Sequence, residues 1–412
     1  MTTSRRELLK SVGAAAILAE FASIRRAAAS ATAEAGEWSG SYSLGEDVTY
    51  LNHASIGTVP RSVQAAHRAY LELCETNPWL YMWSEPWREP LDEVRARAAN
   101  ALGCEIEEVS INHNTTECFN MLAHGLPLGK GDEVLFSSLN HSGASACWHH
   151  MAERRGFTVR QFELPLADFS ELTEDQIVGW HAEAVGPRTR LLVLPHIDNM
   201  VGLRHPVARI AAAARARGVR WVAVDGAQTV NMIPVDVGTM GVDVYATSAH
   251  KWTQSPKGLG FAYIDRSLLE ELPAMWVTWG QKLWTGTARV FEDYGTRALP
   301  AMLALGDALS FQEAVSMESR ERHHRQLRES LEARVDASEG LRWRSPQDWE
   351  LGGALYAVEV LGRKAADISS RLFNEAGIVV RPFGGELNAL RVSPNLANGE
   401  ADFDRLVAAL EG

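Results

Sequence analysis

The 412-residue sequence predicts an α/β fold with a doubly wound, mainly parallel β-sheet. Short apolar stretches typical of buried strands alternate with helical stretches, and these strands are predicted at residues 133–136, 158–163, 190–195, 221–225, 242–247 and 261–264. Hydrophobic residues make up 46% and charged residues 22%, the balance of a protein that buries a sizeable core. Sheets of this kind bind ligands at the carboxyl ends of their strands, so Asp225 is a candidate site residue.

The remaining elements divide the chain into a large and a small domain. A short strand at residues 48–54 comes first, and helices are predicted at residues 61–74, 90–102, 144–155 and 207–217. One long helical stretch at residues 301–334 then leads into a short α+β tail. We therefore predict a large domain over residues 35–300 and a smaller α+β C-terminal domain over residues 301–412.

The N-terminus is typical of a twin-arginine export signal. Residues 4–10 carry paired arginines, residues 12–18 form an apolar run, and Ala-rich sequence follows to about residue 33. The apolar run is too short to span a bilayer, so no stable membrane anchor is expected. Residues 1–34 are therefore predicted to engage the twin-arginine translocation machinery and to direct the folded protein to the periplasm or outside the cell. The alternative is an amphipathic helix in a cytoplasmic protein, because Glu20 and the Arg25–Arg26 pair interrupt the apolar stretch.

Charge and cysteine content limit the classes of partner. A net charge of -12 and a pI near 5.6 disfavour nucleic acid and anionic membranes, so a small-molecule substrate is expected. The four cysteines show no spacing typical of a zinc site and are interpreted as free thiols; they are Cys74, Cys104, Cys118 and Cys147. An exported protein could nevertheless pair two of them in a disulfide.

Lys251 and Asp225 together predict an aldehyde-cofactor site. Lys251 directly follows an apolar strand, where burial would lower its pKa and supply the neutral amine that condenses with an aldehyde. A carboxylate such as Asp225 can keep a pyridine nitrogen protonated, and Gln228 can donate a hydrogen bond to a phenolic oxygen of the ring. Taken singly, Lys251 could instead be ion-paired and Asp225 could be a helix cap.

A phosphate site is predicted at residues 114–117. Thr115 and Thr116 open a helix that runs to about residue 124, and a helix N-terminus offers free N–H groups and a positive dipole end. Ser248 and His250 could supply further hydrogen-bond donors. The alternative is a simple N-cap without a ligand.

The segments at residues 225–228 and 248–251 together resemble the aminotransferase class V family, the group that contains cysteine desulfurases and isopenicillin N epimerase. The resemblance extends from about residue 50 to the C-terminus. It implies pyridoxal 5'-phosphate (PLP) as the cofactor, a Schiff base to Lys251, and the PLP-dependent transferase fold type I. A mainly parallel seven-stranded sheet is expected in that fold.

The resemblance also assigns roles to residues that are ambiguous alone. It implies that His141 stacks on the cofactor ring and that Asn199 contacts a cofactor hydroxyl group. It places Gly295 and Thr296 at the phosphate of a neighbouring subunit, which implies a homodimer with shared active sites. Without the resemblance, His141 would be interpreted as a loop or core histidine.

Arg391 is the expected anchor for the substrate carboxylate, since it lies in a segment, residues 390–395, that resembles the substrate-binding segment of the family. A planar guanidinium group orients a carboxylate through two parallel hydrogen bonds. Asn52 and Ser55 are assigned to the same substrate site, and Arg381 is a secondary candidate. A structural salt bridge is the alternative for Arg391.

The expected reaction is epimerisation or racemisation of an amino acid or amine. Residues 379–390 contain no cysteine, which argues against desulfuration, and residues 114–117 and 294–301 resemble the isopenicillin N epimerase branch of the family. A carbon–sulfur lyase or an aminotransferase on the same scaffold is the alternative. A PLP fold that serves only as a binding module is a third hypothesis, against which the presence of both Lys251 and Asp225 argues.

Overall fold

The computed structural model describes residues 19–26, 38–83, 88–164, 169, 172–278 and 281–412. The predicted twin-arginine motif lies outside the described residues, so the export signal stays a prediction. Residues 19–26, within the predicted signal, are helical, and Phe21 is buried against Tyr70 and Tyr81. No helix in these described ranges is long and apolar enough to cross a membrane.

The strands of the described chain form one large sheet and two smaller ones. In chain order they are β1 (Thr49–Tyr50), β2 (Val109–Asn112), β3 (Glu133–Ser137), β4 (Thr158–Phe162), β5 (Thr189–Pro195), β6 (Trp221–Asp225), β7 (Val244–Thr247), β8 (Gly260–Ile264), β9 (Leu341–Trp343), β10 (Tyr356–Val360), β11 (Ile378–Val379), β12 (Arg381–Phe383) and β13 (Ala389–Val392). The large sheet has seven strands among the described residues, in the order β2-β8-β7-β6-β5-β3-β4. Strand β8 is antiparallel to both neighbours and the other pairs are parallel, which confirms the predicted mainly parallel sheet.

Apolar side chains cover both faces of this sheet. In β5, Leu192 and Leu194 belong to one hydrophobic cluster while Leu191 and Val193 belong to the cluster on the opposite face. Burial on both faces explains why these strands appear in the sequence as uninterrupted apolar runs rather than as alternating patterns.

The described helices pack around these sheets. In chain order they are α1 (Arg61–Thr76), α2 (Pro78–Trp83), α3 (Arg88–Leu102), α4 (Thr115–Gly125), α5 (Ser142–Arg155), α6 (Glu174–Ala184), α7 (Val207–Ala216), α8 (Arg266–Leu269), α9 (Leu299–Val315), α10 (Met317–Asp336), α11 (Ala365–Ala376) and α12 (Glu400–Glu411). The prediction of one helical stretch over residues 301–334 was wrong, because Ser316 separates α9 from α10. Ser316 has a φ of 64°, outside the helical region, and its hydroxyl oxygen accepts a hydrogen bond from Ser319 N at 3.2 Å, which caps α10.

The C-terminal part contains a separate antiparallel sheet in the order β12-β13-β10-β9. The N-terminal strand β1 pairs in parallel with β11, and Asn52 bridges to Ser393 just beyond this pair. These contacts hold the turn after β1 against the end of β13, beside Arg391. The predicted domain boundary at residue 300 stays a prediction; α9, which begins there, packs against α1 and α3.

A buried ion pair ties the edge of the large sheet to its neighbours. Arg95 of α3, only 1% exposed, donates two hydrogen bonds to the Glu292 carboxylate, at 2.9 and 2.6 Å, and one to Val109 O at 2.9 Å. Glu292 also accepts a hydrogen bond from Ile111 N at 2.6 Å. Since β2 leads directly into α4, the pair helps to position the N-terminus of that helix.

We expect Arg95→Met to lower the free energy of unfolding by about 3 kcal/mol, because the substitution leaves a buried carboxylate without its main partner. Arg97→Met is the matched control on the same helix, since Arg97 pairs with Glu313 in a more exposed position. That variant should lose less than about 1 kcal/mol. Urea unfolding midpoints measure both effects, and equal midpoints for the two variants would contradict the structural role of Arg95.

Candidate active site

A cavity of about 320 Å³ lies at the carboxyl ends of the parallel strands. Asp225 is the last residue of β6, and Ser248 follows β7 directly. The cavity brings together most of the residues predicted from the sequence: Ser55, Thr115, Thr116, His141, Asn199, Asp225, Gln228, Ser248, His250, Lys251, Arg381 and Arg391. The sheet topology thus gathers side chains that are separated by more than 300 positions in the chain.

The side chain of Lys251 lies in the loop after β7 and reaches the cavity. Burial lowers the pKa of its amine from 10.5 to about 8; the Asp225 carboxylate opposes this shift and the Arg391 guanidinium adds to it. The loop is packed closely against the turn after β1. A Cβ atom on Gly57 would lie 1.9 Å from Lys251 O, so only glycine fits at this position.

Asp225 is buried, and hydrogen bonds hold both its side chain and its backbone. Its Oδ1 accepts a hydrogen bond from Ala227 N at 3.0 Å, and its carbonyl oxygen accepts one from His196 N at 2.9 Å. The next residue, Gly226, donates from its N–H to Ala246 O at 2.8 Å. These bonds fix the direction in which the carboxylate projects into the cavity.

A chain of buried hydrogen bonds ends at the carbonyl oxygen of Gly226. Thr229 Oγ1 donates to Gly226 O at 2.8 Å and also bonds to Tyr245 Oη, which in turn contacts His196 Nδ1 at 2.8 Å. Since each hydroxyl has one proton, the chain runs from His196 Nδ1–H through Tyr245 and Thr229 to Gly226 O. Burial lowers the pKa of His196 to about 3, so the imidazole is neutral.

The N-terminus of α4 faces the same cavity. Asn114 caps the helix by accepting a hydrogen bond from Glu117 N at 2.9 Å, and the phosphate site at this helix N-terminus stays a prediction. Ser248 Oγ accepts from Thr115 N at 3.1 Å and lies 3.0 Å from Thr115 Oγ1. These contacts tie the lysine loop to the helix N-terminus.

His141 and Thr116 approach each other across Gly143. His141 Nδ1 accepts a hydrogen bond from Gly143 N at 3.0 Å at the start of α5. A Cβ atom on Gly143 would lie 2.5 Å from Thr116 Oγ1 and 2.9 Å from His141 Nδ1. The sequence interpretation missed this glycine, although a glycine two residues after a site histidine is a signal of close backbone approach.

Gln228 and His250, which are predicted to contact the cofactor, also form hydrogen bonds within the protein. Gln228 Nε2 donates to Ala54 O at 3.0 Å, and its Oε1 accepts from Trp252 Nε1 at 2.8 Å. His250 Nδ1 contacts Leu259 O at 3.3 Å, and burial lowers the pKa of His250 to about 4, with Lys251 contributing. Gln228 keeps one amide proton free of these bonds, and His250 is neutral at physiological pH.

Arg391 is buried in β13 and held by three neutral acceptors. Its Nη2 donates to Asn52 Oδ1 at 2.8 Å and to Ser55 Oγ at 2.6 Å, and its Nη1 donates to Asn199 O at 2.9 Å. The described residues place no carboxylate within ion-pair distance of Arg391, so the salt-bridge alternative has no partner there. Burial is the main cause that lowers its pKa to about 10.

Thr296 lies apart from this cavity within the described chain. With Gly295 it lines a second cavity of about 200 Å³, whose wall includes Trp284 and Arg289. Its predicted contact with the phosphate of a neighbouring subunit therefore stays a prediction.

The residues around the first cavity fit PLP. A helix N-terminus with hydroxyl neighbours suits a phosphate, and the Lys251 amine and Asp225 carboxylate suit the aldehyde and the pyridine nitrogen. Gly143 also lines the cavity, and a Cβ atom there would collide with the side chains of Thr116 and His141. The chemistry of this donor set is thus consistent with the cofactor expected from the sequence.

We expect Tyr245→Phe to lower the free energy of unfolding by about 2 kcal/mol, because His196 Nδ1–H would lose its acceptor in a buried position. The affinity for PLP should also fall, by about ten-fold, since Asp225 would be held less rigidly. Urea unfolding and a PLP titration of the cofactor-free protein measure these effects.

Tyr356→Phe is the matched control. The Tyr356 hydroxyl is buried and has no hydrogen-bond partner among the described residues, so its removal should change neither quantity measurably. Unchanged stability and PLP affinity in Tyr245→Phe, or an equal loss in Tyr356→Phe, would contradict the role assigned to the chain.

Comparisons with known proteins match nearly the whole chain. The isopenicillin N epimerase of Streptomyces clavuligerus is 29% identical over 402 residues, which cover 92% of this chain and 98% of that protein. The isopenicillin N epimerase of Amycolatopsis lactamdurans is 31% identical over 391 residues, covering 90% and 96%. A cysteine desulfurase of Cronobacter sakazakii is 29% identical over 392 residues, covering 89% and 93%.

Solved structures support the same fold. C-DES, a cystine C–S lyase, superposes with a TM-score of 0.81 in a mutant form that has glycine covalently linked to the PLP cofactor. That chain is 24% identical, and the match covers 92% of this chain and 99% of the other. The family described as Aminotransferase class-V matches residues 49–406. The chain therefore belongs to the class V aminotransferase family of PLP-dependent enzymes.

Proposed function

We propose that this PLP-dependent enzyme is an amino-acid epimerase or racemase, in which Lys251 exchanges a proton on one face of the substrate Cα and a second proton carrier exchanges one on the other face. One observation carries the catalytic part of the proposal: the Lys251 amine is buried in the same cavity as Asp225 and Arg391, and this burial lowers its pKa to about 8. The similarity to two isopenicillin N epimerases over nearly the full chain favours epimerisation among the reactions of the family.

The residues that hold the cofactor surround the cavity on several sides. The N-terminus of α4, with Ser248 and His250, would bind the phosphate, and Asp225 would face the pyridine nitrogen. His141 would pack on the ring, while Gln228 and Asn199 would lie near its hydroxyl group. When bound, PLP withdraws electrons from the substrate and so makes its Cα proton acidic.

Lys251 has two roles in this proposal. Its amine would hold the aldehyde of the cofactor, and the same amine would accept the proton removed from the substrate Cα. An amine with a pKa of about 8 suits both roles, because at neutral pH a proton can be gained or lost at little cost.

Arg391 orients the substrate by binding its α-carboxylate. Three hydrogen bonds hold the guanidinium group in one position, so that the bound carboxylate is held in one position as well. This positioning would decide which bond at Cα is broken.

A carbon–sulfur lyase or an aminotransferase is the alternative on the same scaffold. The similarity to a cysteine desulfurase favours the lyase. Residues 379–390 contain no cysteine, however, and none of the four cysteines, all of which are described, lines the cavity. A desulfurase that uses a cysteine nucleophile therefore receives no support from these residues.

Export through the twin-arginine machinery and assembly into a homodimer with shared sites remain part of the proposal. The first depends on residues 4–18 and the second on the position of Thr296 relative to the family pattern.

The reaction is tested by incubating the purified enzyme with a panel of L-amino acids in deuterated water. We expect the Cα proton signal to disappear in NMR spectra while chiral chromatography detects the D-enantiomer. Lys251→Ala should abolish both changes. Release of pyruvate or sulfide, or a product that requires a keto acid, without change of configuration would contradict the epimerase proposal.

The pKa of Lys251 predicts how fast the cofactor-free protein captures PLP at different pH values. Below a pH of about 8 the amine is protonated and cannot attack an aldehyde, so the rate should fall with decreasing pH; above it the rate should level off. Absorbance near 420 nm, roughly where protonated aldehyde–amine adducts of PLP absorb, follows the capture.

Borohydride reduction and peptide mapping supply the control for this measurement. The label should reside on Lys251 and not on Lys257, which is the other lysine close to the cavity loop. A pH midpoint near 10.5, the ordinary pKa of a lysine amine, or a label on Lys257, would show that the assignment is wrong.

A further inference from the structure

Two arginine side chains face the cavity from one small sheet. Arg381 of β12 lies directly opposite Arg391 of β13 in the antiparallel pair, and both line the cavity. Directly opposite residues project from the same face of a sheet, with Cβ atoms roughly 4.5–5.5 Å apart. Both guanidinium groups also lie near the Phe383 ring, at 6.0 Å for Arg381 and 5.8 Å for Arg391.

Like charges in directly opposite positions destabilise a sheet. In the described part of the chain neither guanidinium group forms an ion pair, and the acceptors of Arg391 are neutral: Asn52 Oδ1, Ser55 Oγ and Asn199 O. The Asp198 carboxylate favours the charge of Arg391, but its oxygens accept hydrogen bonds from the N–H groups of Met200, Val201 and Leu203. Asp225 also lines the cavity but is assigned to the cofactor nitrogen, so neither guanidinium group has a carboxylate partner among the described residues.

The two arginines differ in accessibility. Arg391 is 2% exposed and fixed by three hydrogen bonds, while Arg381 is exposed and forms no hydrogen bond to any described residue. A fixed, deep guanidinium suits the α-carboxylate, which has the same position in every amino acid. An exposed guanidinium that no hydrogen bond holds suits a group on the side chain, whose distance from Cα varies between substrates.

We propose that the substrate is an amino acid with a second oxyanion, such as a carboxylate, in its side chain, and that Arg381 binds this group. The inference rests on the proposed function, because it assumes that Arg391 binds the α-carboxylate. An amino acid with a neutral side chain would neutralise only one guanidinium group, whereas an acidic amino acid neutralises both.

Calorimetric titration of the PLP-loaded enzyme with unreactive carboxylates tests the assignment. Succinate and glutarate supply two carboxylates, and butyrate is the four-carbon monocarboxylate that matches succinate; none of them has an amine that could react with the cofactor. We expect at least one dicarboxylate to bind about ten-fold or more tightly than butyrate, as a second charge-assisted pair would provide.

Arg381→Gln should reduce the dicarboxylate affinity to that of butyrate and leave the butyrate affinity unchanged, while Arg381→Lys should retain part of the preference. Lys364→Gln is the control for a general loss of positive charge, since Lys364 is exposed and lies outside the cavity lining. It should leave the preference intact.

Three results would overturn the proposal: no preference for dicarboxylates in the unmodified enzyme, an equal loss of both ligand classes in Arg381→Gln, or the same loss in Lys364→Gln. The calorimetric assay measures binding and does not depend on whether the enzyme transfers a proton. A dicarboxylate preference without Cα exchange would therefore contradict only the epimerase proposal, and Cα exchange without the preference would contradict only the role of Arg381.

Discussion

The site depends on the burial of one lysine amine opposite one carboxylate. Burial alone disfavours the ammonium form of Lys251, and the Asp225 carboxylate partly restores it, so that the pKa settles at about 8. Without the carboxylate the amine would be a weaker proton carrier, and without burial it would stay protonated at neutral pH. Both groups occupy the carboxyl edge of the sheet because parallel strands end there together.

Much of the surrounding structure serves to keep these two groups in place. The chain from His196 through Tyr245 and Thr229 supports the backbone after Asp225, and the Ser248–Thr115 contacts join the lysine loop to α4. Glycine at positions 57 and 143 allows close packing, because a Cβ atom there would collide with Lys251 O or with the side chains of Thr116 and His141. Fixed polar groups of this kind contribute to catalysis because they need little reorganisation during the reaction.

The fold and the chemistry of the cofactor site could be predicted from local patterns. Strands such as Trp221–Asp225 are short apolar runs, and the polar residue that ends each run lies at the ligand-binding edge. The break at Ser316 could not be predicted in this way, because both flanking segments favour helix and only one residue leaves that conformation. The roles of Tyr245 and His196 were also missed, since a tyrosine inside an apolar strand is indistinguishable from an ordinary core residue.

The sequence by itself determined the class of fold and, through the family resemblance of short segments such as 225–228 and 248–251, the cofactor and the candidate residues for its chemistry. Only the tertiary structure decided which distant residues share the cavity. Arg381 and Arg391 become neighbours through the register of two strands, and Asn52 reaches Arg391 because β1 pairs with β11. Such contacts join positions up to 339 residues apart, and their geometry depends on how the sheets pack, which local patterns do not encode.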